Sequence, residues 1–246
     1  MDKMIYVAMT GAKQTEYAQA INSNNLANVS TTGFRADLHA FSSIPVVGPG
    51  VDSRVNAVVD SYGTDFAQGP IENTGRSLDI AVQGDGFIAV QSPTGEEAYT
   101  RAGDLRVGAG GLLENGSGHL VMGEGGPVAI PPNGSLLIGS DGTISVQPIG
   151  QGPETLAIVD RIKLVRPEIS QLEKRDDGLL YPRDDVAAVA DGSVRVQSGA
   201  LEKSNVNIAQ TLVNMIELAR QYEMQVNVIK SSEENADAAA QLMRMS

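Results

Sequence analysis

His39 and His119 are the only histidines in the 246-residue chain, and cysteine is absent. No thiol nucleophile, disulfide or Cys-ligated zinc is therefore possible, and two isolated histidines with scattered carboxylates make a poor transition-metal site. Neither histidine lies in a recognisable Ser/His/Asp context, and no G-x-S-x-G elbow occurs. "GDGF" at 84–87 and "GAGG" at 108–111 lack the spacing that cradles phosphate, so these glycines read as turns. "GSDGT" at 139–143 lacks the spaced oxygen ligands and distal Glu of a calcium loop. Asp184-Asp185 and Glu233-Glu234 read as solvated faces, and the N-x-[ST] matches at Asn28, Asn115 and Asn133 carry little weight. No catalytic, cofactor-binding or metal site is expected; the chain reads as a non-enzyme with no cofactor.

The side chains that remain conspicuous are amides. Residues 22–34, "NSNNLANVSTTGF", set four asparagines before Gly33 and Phe34. Asparagine favours caps and turns over helix interiors, yet this cluster closes a segment of helical pattern. Ile5, Ala8, Ala12, Thr15, Gln19, Asn22, Leu26 and Val29 follow a 3,4 spacing, which predicts a helix over 3–28 with Gly33 as a left-handed stop.

The far end repeats that period more strongly. Ile208, Leu212, Met215, Ala219, Tyr222, Val226, Ile229, Glu233, Ala236, Ala240 and Met243 are spaced 4,3,4,3 throughout, with Glu233 the one charged exception. Such a seam predicts a coiled-coil helix, roughly 60 Å long at 1.5 Å per residue. Between the ends, 34–75 reads as an extended connecting arm with short extended stretches such as 55–59. Residues 76–199 read as an all-β domain, since turn signals recur at strand-length spacing. Within it, the apolar runs either side of Gly84-Asp85-Gly86 predict a hairpin. The fold class is thus α+β: terminal helices over 1–33 and 200–246, with a domain of short strands inserted. A weakly amphipathic N-terminal helix cannot cover the whole C-terminal seam, so other copies or other subunits are expected to complete it.

A net charge of −12 disfavours nucleic acid and anionic membrane surfaces. No apolar run approaches the ~20 residues of a membrane-spanning helix. The start "MDKMIYVAMTGAKQ" has neither the basic nor the apolar region of a cleaved signal, which by itself suggests a cytoplasmic protein.

Six stretches resemble one family. "SNNLANVSTTGFRADL" (23–38) resembles the N-terminal motif of flagellar basal-body rod and hook proteins, N-N-[LI]-A-N followed by T-x-G-[FY]. Also similar are "TGRSLDIAVQGDGFIAVQSPTGEEAYTRAGDL" (74–105), "GGLLENGSGHLVMGEGGPVAIP" (110–131), "DGTISV" (141–146), "RIKLV" (161–165) and the segment 199–243. "MDKMIYVAMTGAKQ" and "GFRADLHAF" resemble the proximal-rod member more than the distal-rod or hook members.

The resemblance implies a structural subunit of the proximal rod, with a distal-rod subunit as the second reading. It implies export, unfolded and without a cleaved signal, by the flagellar type III apparatus, so the cytoplasmic inference no longer holds. Polymerisation in the periplasm, with the terminal helices paired as an inner coiled coil and the β domain outside, is then expected. The implied partners are other copies and other rod subunits, with no nucleic acid, membrane insertion or small-molecule substrate. The expected assembly residues are Asn24, Asn25, Leu26, Ala27, Asn28, Gly33 and Phe34 of the N-terminal motif. Those of the C-terminal seam are Ile208, Leu212, Met215, Ala219, Tyr222, Val226 and Ile229. From the residues alone, an all-β binding module on a coiled-coil oligomer is the competing class, and a hydrolase is disfavoured.

Overall fold

The computed structural model describes residues 4–45, 55–148, 155–184 and 186–244. It is α+β, with a helix at each end of the chain and mostly antiparallel strands between them. The chain divides into two compact units. One comprises 1–29, 36–65 and 206–246; the other comprises 30–35 and 66–205.

In the first unit α1 (Met4–Ala27) packs against α2 (Ile208–Arg244). The buried stripe of α1 is Ala8, Gly11, Thr15, Ala18, Asn22 and Asn25. Its 3,4 period is helical, but it is built from small and amide side chains rather than Leu or Ile. Small residues leave room for the side chains of α2: a methyl on Gly11 would stand 2.9 Å from Gln225 Nε2. Farther along, Asn22 Nδ2 donates to the Thr211 carbonyl at 2.8 Å. Gly11 meeting Gln225 and Asn22 meeting Thr211 make the pair antiparallel. α1 has 24 residues and α2 has 37, so among the described residues the last turns of α2 have no α1 beside them. Asn207 starts α2 as its cap, its Oδ1 accepting from Gln210 N–H at 3.2 Å.

The segment 34–75 contains more than an extended arm. β1 (Asp37–Pro45) and β2 (Val55–Thr64) pair antiparallel from Asp37↔Thr64 to Pro45↔Val55, with a register shift between Ala40 and Phe41. A two-stranded ribbon is marginal alone, and both strands pack on α1.

Among its described residues, the second unit is β apart from one short 3₁₀ turn. An eight-stranded antiparallel sheet centres on Phe87–Gln91, which pairs with Glu97–Thr100, Leu120–Val121 and Leu164–Val165. A three-stranded sheet joins Asn133–Ile138, Thr143–Pro148 and Ala157–Arg161. Two-stranded pairs link Ile80–Gln83 with Arg195–Ser198, and Ile71–Asn73 with Ala200–Glu202. One core of Ile80, Val82, Ile88, Val90, Leu113, Val121, Ile144, Val196 and neighbours fills this unit, and Phe87, Ala89, Tyr99, Val165 and Leu180 form a second cluster.

The hairpin expected around Gly84-Asp85-Gly86 does not form. Ile80–Gln83 pairs with Arg195–Ser198, over 100 residues away, while Phe87–Gln91 enters the large sheet. The reason is burial. Ile80, Ala81 and Val82 are fully buried, as are Ile88, Ala89 and Val90, so both runs need cover on two faces, which a hairpin partner alone cannot supply. Gly86 marks the cost of that packing, since a methyl there would fall 2.3 Å from Val194 Cγ1. Gly33 does adopt the left-handed conformation expected of it, with φ +67°.

Candidate assembly site

The amides of the N-terminal motif have separate duties. Asn25, buried, uses both ends of its side chain: Nδ2 donates to the Asp37 carbonyl at 2.8 Å, and Oδ1 accepts the Asp37 N–H at 2.9 Å. The carboxamide thus mimics one rung of a β-ladder and ties the end of α1 to the start of β1. Asn22 ties α1 to α2 through its single bond to the Thr211 carbonyl. Asn28 Nδ2 donates to the Asn24 carbonyl at 3.0 Å within the last turn. Leu26 and Asn28 are half-buried; Asn24 and Ala27 are exposed. Gly33 and Phe34 belong to the second unit. Gly33 N–H donates to the Glu202 carbonyl at 2.8 Å, and the Phe34 ring lies 4.0 Å under Lys174 Nζ.

On α2 the expected seam residues divide. Met215, Ala219 and Ile229 are half-buried, while Ile208, Leu212, Tyr222 and Val226 are exposed. What α2 presents to α1 is shifted by about one position: Thr211, Met215, Leu218, Gln225 and Ser232 are the more covered residues. Leu218 is buried, but Ile208, Leu212, Tyr222 and Val226 are left outside, and Val213, Ile216 and Met224 join them, Ile216 at 69% exposure. One helix therefore has two usable faces. The first is semi-polar and covered by α1; the second is apolar and open within this chain.

A buried ionic node lies where segments 30–35, 66–73 and 200–205 of the second unit meet. Glu202, fully buried, accepts from Arg35 Nη2 at 2.6 Å and Gly69 N–H at 2.9 Å through Oε1. Through Oε2 it accepts from Arg101 Nη1 at 3.1 Å. Arg101 Nη2 also donates to the Gly84 carbonyl at 2.5 Å, and its guanidinium sits 4.9 Å from the Phe87 ring centroid. Burial pulls the Arg101 pKa below its ordinary value, with the adjacent Arg35 charge acting the same way and Glu202 opposing both. Backbone bonds reinforce the node, from Lys203 N–H to Pro70 O at 2.9 Å and from Asn205 Nδ2 to Ala67 O at 3.1 Å. The glycines are there for close approach. A methyl on Gly69 would fall 2.1 Å from Lys203 O, and one on Gly33 2.3 Å from the Arg101 carbonyl carbon. The node escaped sequence reasoning because Arg35 and Glu202 are 167 residues apart, and charged residues are ordinarily exposed. The only local hint is the position of Arg35 beside Gly33-Phe34.

Nothing in this geometry assembles a reaction centre. His39 packs edge-on to Phe41 in β1, and His119 closes a turn with Asn115. Asp141 caps its own turn, Oδ1 accepting from Thr143 N–H at 3.1 Å and Oδ2 from the Thr143 hydroxyl at 2.7 Å. Among the described residues, no three His, Cys, Asp or Glu side chains are grouped to hold a metal.

Comparison with known proteins covers the same parts. Residues 5–35 match the family described as "Flagella basal body rod protein". Residues 81–146 match "Flagellar hook protein FlgE/F/G D1 domain", and residues 197–242 match "Flagellar basal body rod FlgEFG protein C-terminal". The chain is 43% identical over 252 residues to the flagellar basal-body rod protein FlgF of Salmonella typhimurium (strain LT2), all of each chain being covered. It is 42% identical to FlgF of Escherichia coli (strain K12), again over the whole of both. Against the flagellar basal-body rod protein FlgG of Buchnera aphidicola subsp. Schizaphis graminum, identity falls to 31%, covering 97% of this chain and 98% of that relative.

Proposed function

The chain belongs to the flagellar basal-body rod protein family, and from that premise we propose how it works as a structural subunit of the rod. It does no chemistry on a substrate; its work is to hold neighbours. The observation that carries this reading is the open apolar face of α2: Ile208, Leu212, Val213, Ile216, Tyr222 and Val226 on a helix that outruns its partner. Such a face is costly to leave in water at roughly 25 cal/mol per Å² of apolar surface, so it favours helices of adjoining subunits. Heterologous contacts of this kind build a helical filament when they do not close into a ring. Greater similarity to FlgF than to FlgG relatives favours the proximal rod over the distal rod.

On this reading the terminal helices form a coiled-coil inner layer, and the assembly residues are the N-terminal motif and the α2 seam. The Asn25 and Asn22 bonds set register inside the subunit, and the apolar face sets contacts between subunits. The amide-rich, small-residue α1–α2 contact suits a chain that crosses the type III export apparatus unfolded and completes its packing only on docking in the periplasmic rod. The partners are then other copies and other rod subunits.

The absence of cysteine makes the test direct. Leu212→Cys or Ile216→Cys, placed singly in the full chain, yields bismaleimide crosslinks between subunits in assembled basal bodies. Crosslinks confined to single chains, with motility intact after Ile216→Asp, would overturn the reading.

A further inference from the structure

Beside the ionic node lies a small, partly open pocket with room for about one water-sized particle, lined by Arg35, Arg101, Lys174, Gly33, Tyr99 and Thr100 among others. From its lining we infer a binding site for a single halide ion, chloride in ordinary media. The electrostatics come first. Arg35 and Arg101 are each 3% exposed and share one carboxylate, Glu202, which is fully buried. Guanidinium groups cannot shed their charge in a protein, so the two buried arginines exceed their one buried carboxylate by a positive charge, which the exposed Asp85 carboxylate, shared with Arg166, offsets only in part.

Hydrogen bonding points the same way. Glu202 is already occupied by Arg35 Nη2, Arg101 Nη1 and Gly69 N–H. Arg35 Nε and Nη1, and Arg101 Nε, are buried N–H groups with no partner among the described residues. Native structures seldom leave such donors unbonded. Water would satisfy the donors and leave the charge; an anion satisfies both. Size then favours a monatomic anion: room for one water-sized particle is too little to take in phosphate, sulfate or a carboxylate whole. The site belongs to the β unit alone and is separate from the helical face proposed for assembly.

The test uses the full-length protein. Thermal unfolding is followed while sodium chloride replaces sodium gluconate at constant ionic strength. A single site on the folded state raises the folding constant of the β unit about tenfold for each tenfold rise in chloride above half-saturation. Bromide should act likewise, and a bromide-soaked crystal should show an anomalous peak within hydrogen-bond reach of Arg35. Arg35→Met should abolish the halide response. Should that variant fail to fold, the wild-type chloride–gluconate series decides alone. A melting temperature indifferent to the chloride–gluconate exchange would overturn the site in favour of water. A bromide peak without a thermal response would mark an adventitious ion only, and would overturn it equally.

Discussion

Replacing Glu202 by Gln puts the node under the most direct strain. The substitution conserves shape but removes the single negative charge. One oxygen stays an acceptor, while the new NH₂ must face either an arginine N–H or the Gly69 N–H. Two guanidinium groups, each 3% exposed, then lose the one buried carboxylate they share. Breaking a buried ion pair by removing one partner costs about 3–5 kcal/mol. At this chain length each kcal/mol lowers the melting temperature by about 2–4 °C, so Glu202→Gln should melt roughly 6–20 °C below the parent. Thermal and urea unfolding read by near-ultraviolet circular dichroism report on the right unit, because Tyr99 and Tyr181 are buried in it. Hydrogen exchange at the amides of Gly33 and Gly69, which donate to the Glu202 backbone and side chain, localises the effect. A companion variant with Arg35→Met, Arg101→Met and Glu202→Met together replaces charges by apolar volume and should recover most of the loss. A Glu202→Gln protein melting within 2 °C of the parent, with Gly69 still protected, would refute the claim that this carboxylate binds the three segments.

Asn25→Ala should cost about 1–3 kcal/mol by orphaning the Asp37 backbone and should speed exchange at the Asp37 amide, whereas Asn28→Ala should barely change the melting temperature. Gly33→Ala should be strongly destabilising in chemical denaturation, since its methyl meets the Arg101–Ala102 backbone at 2.3–2.4 Å with φ at +67°. Gly11→Ala should be tolerated, because only the end of the Gln225 side chain must move. Asp141→Ala should show a pH-dependent loss. The Thr143 hydroxyl and N–H hold the Asp141 carboxyl below its ordinary value of 3.8, so its contribution is complete above that value and fades as pH falls through the lower folded pKa. Melting temperatures of variant and parent should therefore differ at pH 7 and converge in acid; a constant difference across that range would exclude the Asx turn as the source.

What the sequence determined by itself was everything periodic or conformationally exclusive. Helical spacing marked both ends of the chain, turn glycines marked the β region, and Gly33 declared its left-handed backbone because few other residues tolerate it. The missing cysteines and isolated histidines already spoke against a reaction centre. Tertiary structure decided the pairings, because these depend on which surfaces need cover. The run 80–83 chose a strand over 100 residues distant rather than its neighbour. α2 turned a semi-polar stripe toward α1, one position away from its apolar seam, because small and amide residues on α1 admit only a close, hydrogen-bonded contact. Arg35, Arg101 and Glu202 could meet only after the β unit had formed, since no periodicity links three charged residues scattered over 167 positions. Their burial depends on Glu202 reaching both guanidinium groups at once.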